Sequence, residues 1–200
     1  MYRALMIAAA MTISGPVSAQ QAGMYFGLGF GYADMGSTGF GPPGATAEGG
    51  LLGLTAGYRG PAGGSGFYAL EADADFADNT FEFSGAGCDL FADAPYYCKT
   101  SAVLRLRAIY GVTTSSGWEV FGSGGYGMVF GDAAIQPSGQ STSTTTGGFT
   151  FGLGAQKAFG GGTARLEVIR DNFTENVSGG DGYDTTYEAT TLKATYLFSF

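Results

Sequence analysis

Leu192-Lys193-Ala194-Thr195-Tyr196-Leu197-Phe198-Ser199-Phe200 closes the chain with a strict period of two. In an extended strand, Leu192, Ala194, Tyr196, Phe198 and Phe200 share one face, and Lys193 and Thr195 share the other. The first face suits hydrocarbon and the second a narrow polar interior. Hydrocarbon offers no partners to backbone N–H and C=O groups, so strands cross it only as a closed barrel. The stretch therefore predicts the last strand of a membrane-spanning barrel.

The same alternation extends back through seven more segments. It predicts strands at about 24–34, 49–59, 66–76, 99–111, 117–131, 148–158, 163–173 and 184–200, long enough for tilted membrane strands. The fold class is all-β, an eight-stranded antiparallel up-and-down transmembrane β-barrel. Phe26, Leu28, Phe30 and Tyr32 form the outward set on the first strand, and Leu52, Leu54, Ala56 and Tyr58 on the second. Strand five is the least regular, because Gly122 to Gly127 interrupts its apolar face. Aromatics near strand ends, among them Tyr32, Tyr58, Tyr110 and Trp118, fit interfacial girdles.

Connection lengths alternate. Segments near 35–48, 77–98, 132–147 and 174–183 are long, and those near 60–65, 112–116 and 159–162 are short. Short periplasmic turns and long extracellular loops match this asymmetry when both termini lie in the periplasm. A soluble eight-stranded, lipocalin-like ligand-binding barrel is the structural alternative, with its apolar faces inward.

Arg3, the apolar run from Ala4 to Ile13, the Gly15-Pro16 break and the small residues Val17-Ser18-Ala19 read as a secretory signal peptide over 1–19, cleaved near Ala19. Residues 20–200 then form one outer-membrane barrel domain. The two-residue recurrence of Tyr, Phe and Leu argues against disorder, and apolar residues diluted throughout by Gly, Ser, Thr and charge leave no membrane helix after the N-terminal run. Nine Lys and Arg against 17 Asp and Glu, a net charge of −8, exclude nucleic acid as a partner. Cys88 and Cys98, in an exported chain, are expected to form a disulfide. Two thiols in a chain without histidine make no metal site.

Inward positions carry charge. Glu71, Asp73 and Asp75 on the third strand face Arg105 and Arg107 on the fourth, and Arg59, Glu119, Arg165, Glu167, Glu188 and Lys193 are expected to add to them. An eight-stranded interior is just wide enough for such side chains to fill, which predicts an ionic plug; an ion or solute path is the rival reading. Gly27, Gly29, Gly31, Gly53 and Gly57 leave room on the first two strands for long arginines from across the lumen, or for water.

The long connections carry Glu48, Asp78, Asp89, Asp93, Asp132, Glu175, Asp181 and Asp184, predicting an acidic outer rim suited to divalent cations bridging lipopolysaccharide or to basic partner surfaces. The Ser/Thr run from Ser138 to Thr146 reads as a mobile loop tip. Gly122-Ser123-Gly124-Gly125-Tyr126-Gly127 has the letters of a dinucleotide fingerprint but no helix after it. Asp73-Ala74-Asp75 lacks the Gly and Glu of a calcium loop, and the sequons at Asn172 and Asn176 carry little meaning in a bacterial outer membrane.

Together the signal peptide, the opening strand Tyr25-Phe26-Gly27-Leu28-Gly29-Phe30-Gly31-Tyr32 and the closing Thr195-Tyr196-Leu197-Phe198-Ser199-Phe200 carry a resemblance over the whole mature chain. The chain resembles the small eight-stranded outer-membrane barrels: the OmpA transmembrane domain, OmpX and the Opa-like proteins of the "porin family". The resemblance implies recognition of Tyr196, Phe198 and Phe200 by the barrel-assembly machinery. It departs from OmpA in having no peptidoglycan-binding domain after Phe200, so cell-wall tethering is not implied. Barrel enzymes of the outer membrane rely on histidine, which this chain lacks, so no catalytic activity and no cofactor are expected. The expected function is structural, supporting envelope integrity, with adhesin-like host or phage contacts through the loops and lipopolysaccharide around a monomeric barrel. A small-solute or ion-conducting channel is the alternative.

Overall fold

A computed structural model describes residues 22–38, 45–83, 96–135, 141–176 and 184–200. It consists of β1 (Gly23–Thr38), β2 (Ala45–Pro61), β3 (Gly66–Phe83), β4 (Tyr96–Thr113), β5 (Trp118–Ile135), β6 (Ser141–Phe159), β7 (Gly162–Asn176) and β8 (Asp184–Ser199). Each strand pairs antiparallel with its chain neighbour, and β1 pairs with β8 to close the barrel. The Phe200 amide donates to the Met24 carbonyl at 3.1 Å, and the Phe198 and Phe200 rings stack on Phe26. The quoted closing stretch thus seals the seam.

Polar and apolar sets are inverted relative to a water-soluble barrel. Leu28, Phe30, Leu52, Leu70, Leu106 and Leu153 are more than half exposed on the outside, whereas Glu71, Arg107, Asp171 and Lys193 are at most 1% exposed inside. That arrangement requires an apolar solvent outside. The lipocalin-like alternative needs the opposite facing.

At one end of the barrel the connections are tight. Gly160 and Gly161 form a two-residue hairpin with φ of 59° and 87°, positive values that glycine accepts without a Cβ clash and that match the strand twist. At the other end the strands outrun the expectation, because backbone pairing continues where no apolar face is needed. The Ser138–Thr146 run is corrected in part: Ser141–Thr146 belongs to β6 and pairs with β5, while residues 138–140 lie outside the described residues. β5 is continuous through its glycines. Gly122 and Gly124 face outward, beside the side chains of Leu153 and Phe151.

The wall divides at this taller end. The β2–β3 ladder stops at Leu51↔Ala77 and the β6–β7 ladder at Gly148↔Phe173. Beyond these points β3–β6 continue as one four-stranded sheet, to Phe83↔Tyr96, Tyr96↔Ile135 and Ala134↔Ser141. β7, β8, β1 and β2 continue as another. A bulge at Ser101, where the register shifts on both sides of β4, sits at the level of the β2–β3 split; bulges bend a strand and increase its twist. The Ser101 hydroxyl donates to the Phe130 carbonyl at 3.1 Å.

Candidate functional site

Strand parity aims a set of charged side chains into the lumen. β3 supplies Glu71, Asp73 and Asp75, β4 supplies Arg105 and Arg107, β7 supplies Arg165, Glu167 and Asp171, and Lys193, Arg59 and Glu119 come from β8, β2 and β5. All eleven are buried. In register, Glu71 lies opposite Arg107 and Asp73 opposite Arg105.

Arg107 spans the lumen. Its Nη2 donates to Glu71 Oε1 on β3 at 2.7 Å, and its Nη1 donates to Glu167 Oε1 on β7 at 2.6 Å and to the Ser123 hydroxyl at 3.2 Å. Asp73 Oδ2 lies 2.5 Å from Nη2 as an ion pair without hydrogen-bond alignment. Arg105 skips its register partner. It donates through Nε and Nη2 to Asp171 at 2.9 and 2.6 Å, a bidentate fork, and through Nη1 to Asp75. Long side chains lean along the strand, so Cα register alone does not fix the pairs.

Two further bridges cross the lumen. Arg165 donates to Glu71 at 2.6 Å and to Gln156 at 2.8 Å, and the Tyr25 hydroxyl also donates to Glu71, at 2.7 Å. Lys193 Nζ donates to Asp73 at 3.0 Å and Asp75 at 2.6 Å. Nearer the short-turn mouth, Arg59 forks onto Glu119 at 2.7 and 2.6 Å, with its guanidinium 3.8 Å over the Phe67 ring, and Gln156 adds a third donor to Glu119. Six carboxylates thus face five cations, with the charges mutually paired; an isolated charge in so dry a space would be very costly. Arg107 Nε and Thr150 Oγ1 are buried without a hydrogen-bond partner among the described residues.

Apolar layers flank this ionic band. Tyr25, Phe67, Ala69, Ile109, Phe121 and Leu197 cluster toward the short turns, and Ala33, Met35, Leu51 and Ala189 toward the other end. The void lined by Tyr25, Arg59, Gln156 and Arg165 at the short-turn mouth has about 10 Å³, room for about one water. Inward glycines make the packing possible. A Cβ on Gly53 would meet Asp75 Oδ1 at 2.5 Å and Lys193 Cε at 2.6 Å, and one on Gly57 would meet the Tyr25 ring at 2.6 Å. The space at Gly53 and Gly57 is taken by a lysine and a tyrosine, and that at Gly27 and Gly31 by Leu197, Thr195 and Leu51, rather than by cross-lumen arginines.

Glu188 is a correction. It has the outward parity of Leu192 and pairs with Arg170 on the outer surface, both partly exposed. Above the hydrocarbon band an outward charge meets water, so the lumen has no claim on it. Sequence reading missed Asp171, Gln156 and Tyr25. Asp171 and Tyr25 were legible by parity, sharing theirs with Glu167 and Gly27. Cys88 lies outside the described residues, and the side chain of Cys98 is likewise not described. Tyr196 donates to the Phe159 carbonyl at 2.7 Å, while Phe198 and Phe200 lie on the outer seam. Among the described residues no group of three or more His, Cys, Asp or Glu is placed to hold a metal ion.

Among solved structures the chain is similar to the outer membrane protein OprG of Pseudomonas aeruginosa, at 13% identity over 90% of this chain and 98% of that one, with a TM-score of 0.56. It is also similar to Neisserial surface protein A, NspA, at 15% identity over 88% and 97% with a TM-score of 0.52. Ail, the attachment invasion locus protein of Yersinia pestis, in complex with the heparin analogue sucrose octasulfate, gives 14% identity over 88% and 99%, with a TM-score of 0.50. Identities this low establish a shared fold alone. Among curated proteins, none matches the chain in sequence. The family model described as "Outer membrane protein beta-barrel domain" matches residues 4–200. With that match over nearly its whole length, on a closed eight-stranded barrel with an apolar exterior, the chain belongs to the outer membrane protein beta-barrel domain family of bacterial outer-membrane proteins.

Proposed function

We propose that this chain is a non-enzymatic, structural outer-membrane protein whose lumen is held shut by its ionic network and whose acidic rim makes surface contacts. One observation carries the reading: Arg107 bridges Glu71 and Glu167 on opposite walls, with apolar layers at both ends of the charged band. Filling the cross-section with paired charges ties the walls together and leaves no continuous aqueous path. A chain without histidine lacks the usual general base, and each lumen carboxylate is already engaged by a cation.

Residues 1–19 serve as the signal peptide, cleaved near Ala19, and the barrel-assembly machinery reads the closing strand at Tyr196, Phe198 and Phe200. A Cys88–Cys98 disulfide would hold the second long connection. The barrel stands as a monomer amid lipopolysaccharide. Ail was crystallised with a sulfated ligand; the charge of −8 here repels such polyanions and favours divalent cations or basic host or phage surfaces.

A liposome-swelling assay with a small sugar tests the reading. Proteoliposomes are expected to swell no faster than empty ones. Swelling in proportion to protein content would favour the channel reading instead.

A further inference from the structure

The apolar belt on the outer wall is uneven. Leu28, Leu52, Leu70 and Leu153 stand out from it, whereas Ala56 on β2 and Ala72 and Ala74 on β3 face outward side by side, Ala56 opposite Ala72 in register. The three alanines floor a groove of about 640 Å³. Phe26 on β1 flanks one side, and Leu104 and Leu106 on β4 with Met128 on β5 flank the other. Ala72 lies opposite Leu106 and Ala74 opposite Leu104, so the step from methyl to isobutyl falls between two adjacent strands. The intervening Thr55, Asp73 and Arg105 turn their side chains into the lumen, and the hydroxyl of Tyr126, at the far rim, reaches over Gly147 on β6. The groove therefore presents an apolar floor and apolar flanks.

We propose that this groove seats one acyl chain of a phospholipid. What covers it follows from where it lies: the belt faces hydrocarbon, and tails there are as apolar as leucine, so shape rather than the hydrophobic effect sets the preference. On a flat wall a tail touches protein from one side; in the groove it gains dispersion contacts with the floor and both flanks. At roughly 30 Å³ for a group the size of water, about 20 such groups fit, which suits a run of methylenes. Charge selects the source, given the reading that the acidic rim faces outward. Toward the taller end the outward positions of β1 and β2 reach Asp34 and Glu48, which repel the phosphates of lipopolysaccharide. Toward the short turns β2, β3 and β4 carry Tyr58, Tyr68 and Tyr110, exposed phenols able to donate to a phospholipid headgroup. A second copy is the poorer occupant, because an isologous pair centred on the groove sets one concave floor against another.

The test is native mass spectrometry of the full barrel, released from detergent micelles after titration with palmitoyl-oleoyl phosphatidylethanolamine, alone and against deep-rough lipopolysaccharide. A single-phospholipid adduct is expected in excess of a statistical distribution. A72L/A74L raises the floor and L104A/L106A lowers a flank; each should weaken the adduct about tenfold, because each removes dispersion contacts along the chain. A164L, outward on β7 and away from the groove, should leave it unchanged. Mobility before and after boiling identifies the folded variants. A statistical distribution, or an adduct that the folded groove variants retain, overturns the inference and leaves the closed lumen standing. Preferential capture of lipopolysaccharide overturns the phospholipid assignment. A lipid-free dimer that A72L/A74L abolishes also overturns it, giving the groove to a second copy. Whole-cell labelling of E48C with a membrane-impermeant maleimide, read against the parent chain, reports the facing of the rim separately; failure to label overturns that reading and the choice of phospholipid with it.

Discussion

Replacing Arg107 with leucine separates a filled lumen from a merely crowded one. The change removes the donors to Glu71, Asp73 and Glu167 and leaves a shorter, apolar side chain. The three acids fare differently. Glu71 keeps Arg165 at 2.6 Å and the Tyr25 hydroxyl at 2.7 Å, and Asp73 keeps Lys193 at 3.0 Å and the Thr55 hydroxyl at 2.5 Å. Among the described residues Glu167 keeps the Ser123 hydroxyl at 3.0 Å and no second cation. The cost therefore concentrates on one stranded carboxylate, and removing one partner of a buried pair costs about 3–5 kcal/mol. Adding Glu167→Leu removes the orphan, so R107L/E167L should recover about 2 kcal/mol of that loss. Urea unfolding in short-chain lipid vesicles, followed by electrophoretic mobility before and after boiling, measures both. A loss below about 1 kcal/mol for R107L, or no recovery in the double variant, would refute the reasoning.

The lipid face gives a depth test. Leu28→Arg, in the middle of the exposed β1 set, should destabilise by roughly 2–4 kcal/mol in the same urea assay, and Met24→Arg near the end by about 0–1 kcal/mol. Gly53→Val would drive a side chain into Lys193 and Asp75, costing about 1–3 kcal/mol; a neutral result would show that Lys193 has another place to go. Arg170→Ala, on the outer surface, should cost below about 1 kcal/mol despite its ion pair with Glu188, because exposed pairs are screened by water.

How much of this was legible follows from parity. Alternation within each strand assigns the outward Leu, Phe and Tyr sets, odd-numbered on β6 and even-numbered on the others, and places Lys193 inside; along β3 and β4 it aims the charges inward. Glu188 faces outward because parity, not charge, decides its side: it is even-numbered like Leu192. Asp171 shares the inward parity of Glu167, but its partner Arg105 lies 66 residues away across the barrel, beyond any local pairing. The strand extensions and the Ser101 bulge were not legible, since no apolar period marks backbone pairing above the hydrocarbon.

Closure of the lumen is the central claim, and single-channel recording in planar bilayers tests it most directly. The native barrel is expected to show no resolved openings, whereas the variant with both Arg105→Ala and Arg107→Ala, having lost the two arginine bridges of β4 while those of Arg165 and Lys193 remain, is expected to conduct. Steady conductance through the native barrel, unchanged in the double variant, would contradict the account.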